Sequence, residues 1–203
     1  MQILSIFQTL SDELNKNKDK LNELDGATGD ADFGSNITRG FDEVVKKGQT
    51  AFTTSSSLCD DLRTVGLTLM TKVGGSSGVI VGRAVMCMGN AVKGKTALKN
   101  SDVGNMLRTG INEMTKLGKA VPGDKTLIDA VDPAAKAFES ASDNEPLAFA
   151  SAAVAARKGA ESTVNMISKK GRSSYLGERS KGHMDAGSCA VALIFEKLAS
   201  MKI

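Results

Sequence analysis

The chain has 203 residues, 41% of them hydrophobic but only 4% aromatic, with no Trp and one Tyr. A net charge of +3, with no run of five or six like charges and no aromatic platforms, excludes a nucleic-acid groove. Three dispersed cysteines, one histidine and no apolar run near the ~20 residues that cross a bilayer predict a single soluble, reduced, cytoplasmic domain over residues 1–203, with no leader, zinc site or disulfide scaffold.

Helical periodicity runs through the chain. Ile3, Phe7, Leu10, Leu14, Leu21 and Leu24 share one face and predict a first helix. A second starts near Asn36 and runs through Ile37, Phe41 and Val44 to Gly48. In "SSSLCDDLRTVGLTLMTKV" serine caps precede the stripe Leu58, Leu62, Val65, Leu69, Val73. A fourth helix follows "GGSSG" from Val79 to Val92. Its "GVIVGRAVMCM" also suits a strand, although length and Gly82 fit a buried helix with close neighbours. A fifth spans about Ser101 to Leu117, and a sixth begins near Asp124 and ends before Asp143. A seventh follows Pro146 and carries Phe149, Ala153, Ala156, Ala160, Val164 and Ile167, and an eighth follows Gly187. The expected class is all-α, a bundle or barrel of about eight antiparallel helices.

Glycine gathers in four loops: "GATGDADFG" (26–34), "GGSSG" (74–78), "GKAVPGDKT" (118–126) and "GRSSYLGERSKGHMDAG" (171–187). Three of them precede a helix start, where free N–H groups suit phosphate. Together they suggest an anion-binding mouth at one end of the bundle. The first loop packs Asp25, Asp30 and Asp32 into eight positions with no basic residue. Two such carboxylates about 5 Å apart repel by roughly 3 kcal/mol at an effective dielectric near 20. The loop is therefore either a solvated turn, with Asp as cap, or a hard-cation site. An EF-hand does not fit, because the twelfth position from Asp30 is Phe41.

Other motifs leave alternatives open. "GGSSG" reads as close packing or as a phosphate cradle through Ser76 and Ser77. "GNAVKGKT" (89–96) matches the P-loop letters but lacks the strand–loop–helix context that pattern needs. Asp124 reads as a helix cap, Lys125 as facing phosphate or water, and Asp129 and Asp132 as non-ligands. Arg172 suits bidentate phosphate binding, whereas lone His183 reads as structural.

"LDGATGDADFGSNITRGF", "VGGSSGVIVG", "PGDKTLIDAVDPA" and "GRSSYLGERSKGHMDAGS" resemble, in order and spacing, the nucleotide-binding L subunits of dihydroxyacetone kinases. The resemblance covers residues 21–195. It implies a barrel of eight antiparallel helices with nucleotide at one end. It implies that Asp25, Asp30 and Asp32 ligate two Mg²⁺ ions, and that Gly34, Ser35, Asn36, Ser76 and Ser77 contact phosphate. Gly118, Leu127, Arg172, Asp185 and Gly187 match positions around the nucleotide, and no residue is singled out as catalytic. It further implies a separate K subunit that holds dihydroxyacetone on a histidine. In the phosphotransferase-system form, a phosphohistidine protein rephosphorylates bound ADP; in the ATP-driven form, nucleotide exchanges. Nucleic acid and membrane are not expected partners. Two positions depart from the family pattern: Phe33 stands where a His is usual, and Ala186 where a Pro is usual. A phenyl ring cannot donate to phosphate, and losing such a contact costs roughly 1.5–3 kcal/mol. The rival readings are a nucleotide-loaded regulatory or docking module without turnover, and service to another acceptor such as a fatty acid on a carrier protein.

Overall fold

The computed structural model describes residues 3–53, 55–141 and 145–201. Among these, every regular element is helical: α1 (Ile3–Lys16), α2 (Lys18–Gly26), α3 (Phe33–Ala51), α4 (Leu58–Lys72), α5 (Gly75–Ala91), α6 (Asn100–Gly118), α7 (Ile128–Ser140), α8 (Glu145–Ser162) and α9 (Ala186–Ser200). Short 3₁₀ segments cover Thr163–Asn165 and Arg172–Ser180. No described helix is long and apolar enough to cross a membrane. The all-α class expected from periodicity is the class observed, and "GVIVGRAVMCM" is helical, inside α5.

The chain folds into two compact units. The first comprises the N-terminal segment through Asp12 and Asn36–Lys119. Its core is aliphatic, as scarce aromatics require: Leu10, Ile37, Val44, Leu62, Val65, Leu69, Val73, Val92 and Met106 are buried. Phe7 stacks at a tilt against Phe41 and Phe52, with ring centres 6.2 and 6.5 Å away. Helices α4 and α5 cross at glycine. A Cβ on Gly66 would overlap the Gly82 carbonyl oxygen, and a Cβ on Gly82 would overlap that of Gly66. Ser57 caps α4, its hydroxyl accepting from the Asp60 N–H at 3.2 Å.

The second unit comprises Glu13–Ser35 and the chain from Ala120 onward. Here α7, α8 and α9 bury alanines at helical spacing, including Ala130, Ala134, Ala152, Ala156, Ala160 and Ala192. Small side chains let these axes approach. Pro133 lies inside α7 and has no N–H to give Asp129's carbonyl. Gly159 of α8 packs onto that carbonyl, so a Cβ there would overlap it. Phe138 and Phe149 meet edge-on at 5.0 Å. Arg157 of α8 grips Glu196 of α9 with two 2.7 Å bonds.

Several boundaries differ from the periodicity; α5, for one, begins at Gly75, inside "GGSSG" rather than after it. The first stripe is two helices, parted at Asn17, whose amide donates to the Glu13 carbonyl at 2.9 Å. Helix α3 begins at Phe33, three residues before Asn36, because side chains of α2 cap its first turn. Helix α7 begins at Ile128, because residues 121–127 form a turn with Gly123 and Lys125 at positive φ. It ends at Ser140; Asp143 lies outside the described residues. Helix α8 stops at Ser162, so Val164 and Ile167 fall beyond it. There the hydroxyls of Ser162 and Thr163 donate to the Gly159 and Ala160 carbonyls.

Candidate functional site

The acidic loop wraps around one of its own carboxylates. Helix α2 runs out at Gly26, and the N–H groups of Thr28 and Gly29 turn back to the Asp25 carbonyl. The Asp25 carboxylate then accepts from the N–H of Asp32 at 3.0 Å and of Phe33 at 3.3 Å. Ala31 takes a left-handed backbone, φ +60°, to complete the reversal. The result brings one carboxylate oxygen from each of Asp25, Asp30 and Asp32 within 4.8 Å of one another. Asp25 is half-buried, and the other two are exposed. Among the described residues one cation opposes them: the Arg172 guanidinium pairs with Asp30. Three negative charges against one positive charge leave a net attraction for a hard cation, and all-oxygen donors suit Mg²⁺ or Ca²⁺.

Behind the loop, α2 is clamped to the start of α3. A Cβ on Gly34 would overlap the Lys18 carbonyl oxygen, so only glycine allows this approach. Asn22 binds Ser35 twice at 3.0 Å, its carbonyl oxygen accepting from the Ser35 N–H and its amide donating to the hydroxyl. Sequence reading missed Asn22, because nothing local marks an asparagine thirteen residues upstream as a capping group.

In the same unit Leu127, Asp185 and Gly187 lie together. A Cβ on Gly187 would stand 3.2 Å from the Asp185 carboxylate and 3.4 Å from the Leu127 Cβ. Asp185 caps α9 by accepting from the Ser188 N–H at 2.7 Å. Burial pushes its carboxyl up to about 6, further raised by nearby Asp129, while the Ser188 bonds and Lys125 pull the other way.

The turn before α7 corrects two expectations. Asp124 caps its own turn rather than the helix, accepting from the Val121 N–H at 3.0 Å. Asp129 instead braces the turn and the helix start, accepting from Gly123 at 2.5 Å and Thr126 at 2.8 Å. Lys125 faces neither water nor open space. It is buried and donates to the carbonyls of Met166, Ser180 and His183. His183 thus takes part through its backbone, while its side chain is exposed.

The first unit holds the remaining candidates. Ser76 and Ser77 sit in the first turn of α5, behind Gly74 at φ +80°. Among the described residues neither hydroxyl has a partner. Arg39 ties this region together. It donates to the Asn36 side chain at 2.7 Å and to the carbonyls of Lys72 at 2.9 Å and Val73 at 3.4 Å. Its three-residue spacing from Asn36 was the available signal. Gly118 ends α6 with Ile80 against it. The P-loop look-alike is a turn at Gly94 between two helices, with Lys95 paired to Asp102 at 3.0 Å.

Comparison with known proteins gives a consistent result. A family model described as DAK2 domain matches residues 27–200. The chain is 34% identical over 201 residues to the PEP-dependent dihydroxyacetone kinase, ADP-binding subunit DhaL, of Escherichia coli, covering 98% of this chain and 95% of that one. It is 38% identical over 185 residues to the ADP-binding subunit DhaL of PEP-dependent dihydroxyacetone kinase 2 of Listeria innocua, covering 90% and 86%. The crystal structure of the dihydroxyacetone kinase of C. freundii in complex with AMP-PNP and Mg²⁺ superimposes with a TM-score of 0.77 at 27% identity. That match takes in 97% of this chain and 33% of the longer kinase.

Proposed function

This chain belongs to the DAK2 domain family, and from that premise we propose that it is the ADP-binding, phosphoryl-transferring subunit of a dihydroxyacetone kinase. The observation that carries this reading is the convergence of Asp25, Asp30 and Asp32, with oxygens within 4.8 Å and one arginine opposing them. We assign these three as ligands of Mg²⁺, two ions per nucleotide. Bound Mg²⁺ supplies the charge neutralisation that phosphoryl transfer needs. In the second unit, Gly34, Ser35, Leu127, Arg172, Asp185 and Gly187 are the proposed nucleotide contacts; in the first, Asn36, Ser76, Ser77 and Gly118. Arg172 suits a phosphate through its planar fork. Ser76 and Ser77 suit it through unpartnered hydroxyls at a helix start.

The finer assignments follow the family. Dihydroxyacetone is held by a separate K subunit, the donor is a phosphohistidine protein of the phosphotransferase system, and the complex works in the cytoplasm. Retained ADP distinguishes this form from one that exchanges ATP. Phe33 favours one rival, a nucleotide-loaded module without turnover, since the phenyl ring offers phosphate no donor. Mixing with K subunit, dihydroxyacetone and a phosphoryl donor separates the two by the appearance of phosphorylated product.

The direct test is chemical analysis of the purified protein after long dialysis against Mg²⁺. ADP and magnesium in fixed ratio to protein are expected, and Asp30→Asn is expected to lose both. Wild-type protein free of ADP and indifferent to added Mg·ADP overturns the reading.

A further inference from the structure

We propose that Lys125 is a positioning residue: its ammonium group holds both ends of the segment that carries Arg172, and so sets that guanidinium against the acidic loop. The proposal deepens the reading above and rests on it for the ligand, Mg·ADP.

An ammonium has three N–H donors and no acceptor. Lys125 is 3% exposed, and its three donors meet three backbone carbonyls: Met166 at 3.2 Å, Ser180 at 2.6 Å and His183 at 2.5 Å. Met166 precedes the 3₁₀ segment Arg172–Ser180, Ser180 is its last residue and His183 follows it. That segment needs holding, because Gly171, Gly177 and Gly182 all sit at positive φ. Its other ties are neutral bonds, from the Ser168 N–H to the Ser180 hydroxyl at 2.9 Å, from the Lys169 N–H to the Asp124 carbonyl at 3.1 Å and from Gly182 to the Val164 carbonyl at 2.7 Å, and two longer ion pairs that the more exposed Lys169 and Lys170 make with the Asp124 carboxylate at 3.5 and 3.9 Å. The lysine adds a charged donor, whose bonds are about twice as strong.

The location is unfavourable for a lysine in every other respect. Its backbone is left-handed, φ +60°, and burial lowers its basicity, with Asp185 acting in the opposite sense. A cation kept at such a position is explained by what it fastens. Arg172 projects from the fastened segment and reaches Asp30. One ammonium at the turn before α7 therefore links the α7 start to the proposed phosphate-facing arginine.

The test is a double-mutant cycle on Mg·ADP affinity by calorimetry, with Lys125→Met, Arg172→Ala and the pair. Each single substitution is expected to weaken binding about tenfold or more, and the pair is expected to be no weaker than Arg172→Ala within about twofold. Hydrogen exchange without ligand should show residues 166–183 losing protection in Lys125→Met while α7, α8 and α9 keep theirs. A folded Lys125→Met that binds like wild type overturns the proposal, as do losses that simply multiply with those of Arg172→Ala. If Lys125→Met does not fold, Lys125→Gln, which keeps two donors, is read instead. It should show a partial loss with the same non-additivity, and unchanged affinity overturns the proposal. Wild-type protein that fails to bind Mg·ADP defeats the ligand reading alone; exchange at 166–183 still decides the tether, and unchanged exchange overturns it.

Discussion

Asp185 carries two assignments that act on its carboxyl in opposite directions. As the cap of α9 it serves best ionised, while burial favours the protonated acid and holds its pKa near 6. Between about pH 4 and 6 the folded chain keeps a proton that the unfolded chain has already released. Stability therefore falls as pH rises through that window, and levels off above it. The total effect is roughly 3 kcal/mol. Asp185→Asn keeps an oxygen for the Ser188 N–H and cannot titrate. Urea unfolding from pH 4 to 7 should show the wild type losing stability relative to the variant, and parallel profiles would refute this. At this scale the sequence was partly readable. Three aspartates in eight positions announce a cluster through local spacing alone. Their partner Arg172 lies 140 residues downstream of Asp32, and no local pattern joins them. Lys125 sits in a polar, glycine-bounded stretch that reads as surface, and only the folded chain brings three carbonyls to it.

Helix identity was readable because buried positions repeat at helical spacing, and the ends were not because side chains from elsewhere set them. Leu14 and Leu21 are both fully buried, so the apolar rhythm passes through the break at Asn17 without a sign of it. Helix α3 starts early for a related reason: its caps are Asp25 and Asn22, which belong to α2. The junction of α7 and α8 offers the sharpest element-scale prediction. Pro133 withdraws the donor that would cover the Asp129 carbonyl, and Gly159 lets α8 close over it. Gly159→Ala forces a methyl group into backbone atoms that cannot turn aside, including the Ala130 Cα at 2.9 Å. The expected loss is about 2–3 kcal/mol, although alanine is the better helix former. Chemical denaturation measures it, and a gain in stability would show that the helices separate freely.

Taken whole, the chain is nearly balanced in charge, with 26 basic and 23 acidic residues, so no broad field recruits a polyanion. On the proposed reading, affinity for a nucleotide comes from local contacts, foremost the acid cluster and the Mg²⁺ it would hold. Ligand at about 100 times its dissociation constant adds about 2.7 kcal/mol. At about 2–4 °C per kcal/mol for a chain of this size, Mg·ADP should raise the melting temperature by roughly 5–10 °C. EDTA should abolish the rise, and ADP that stabilises equally without metal would remove the carboxylates from the site. The family was legible at this scale because four motifs kept their order along the sequence, and family membership was the result of the comparisons.

The only tyrosine, Tyr175, stands 88% exposed on the 3₁₀ segment three residues beyond Arg172, in a chain without tryptophan. Excited at wavelengths longer than its seven phenylalanines absorb, the whole protein therefore emits from one ring. No dye is needed to follow the arginine-bearing segment in real time, because the light already originates there.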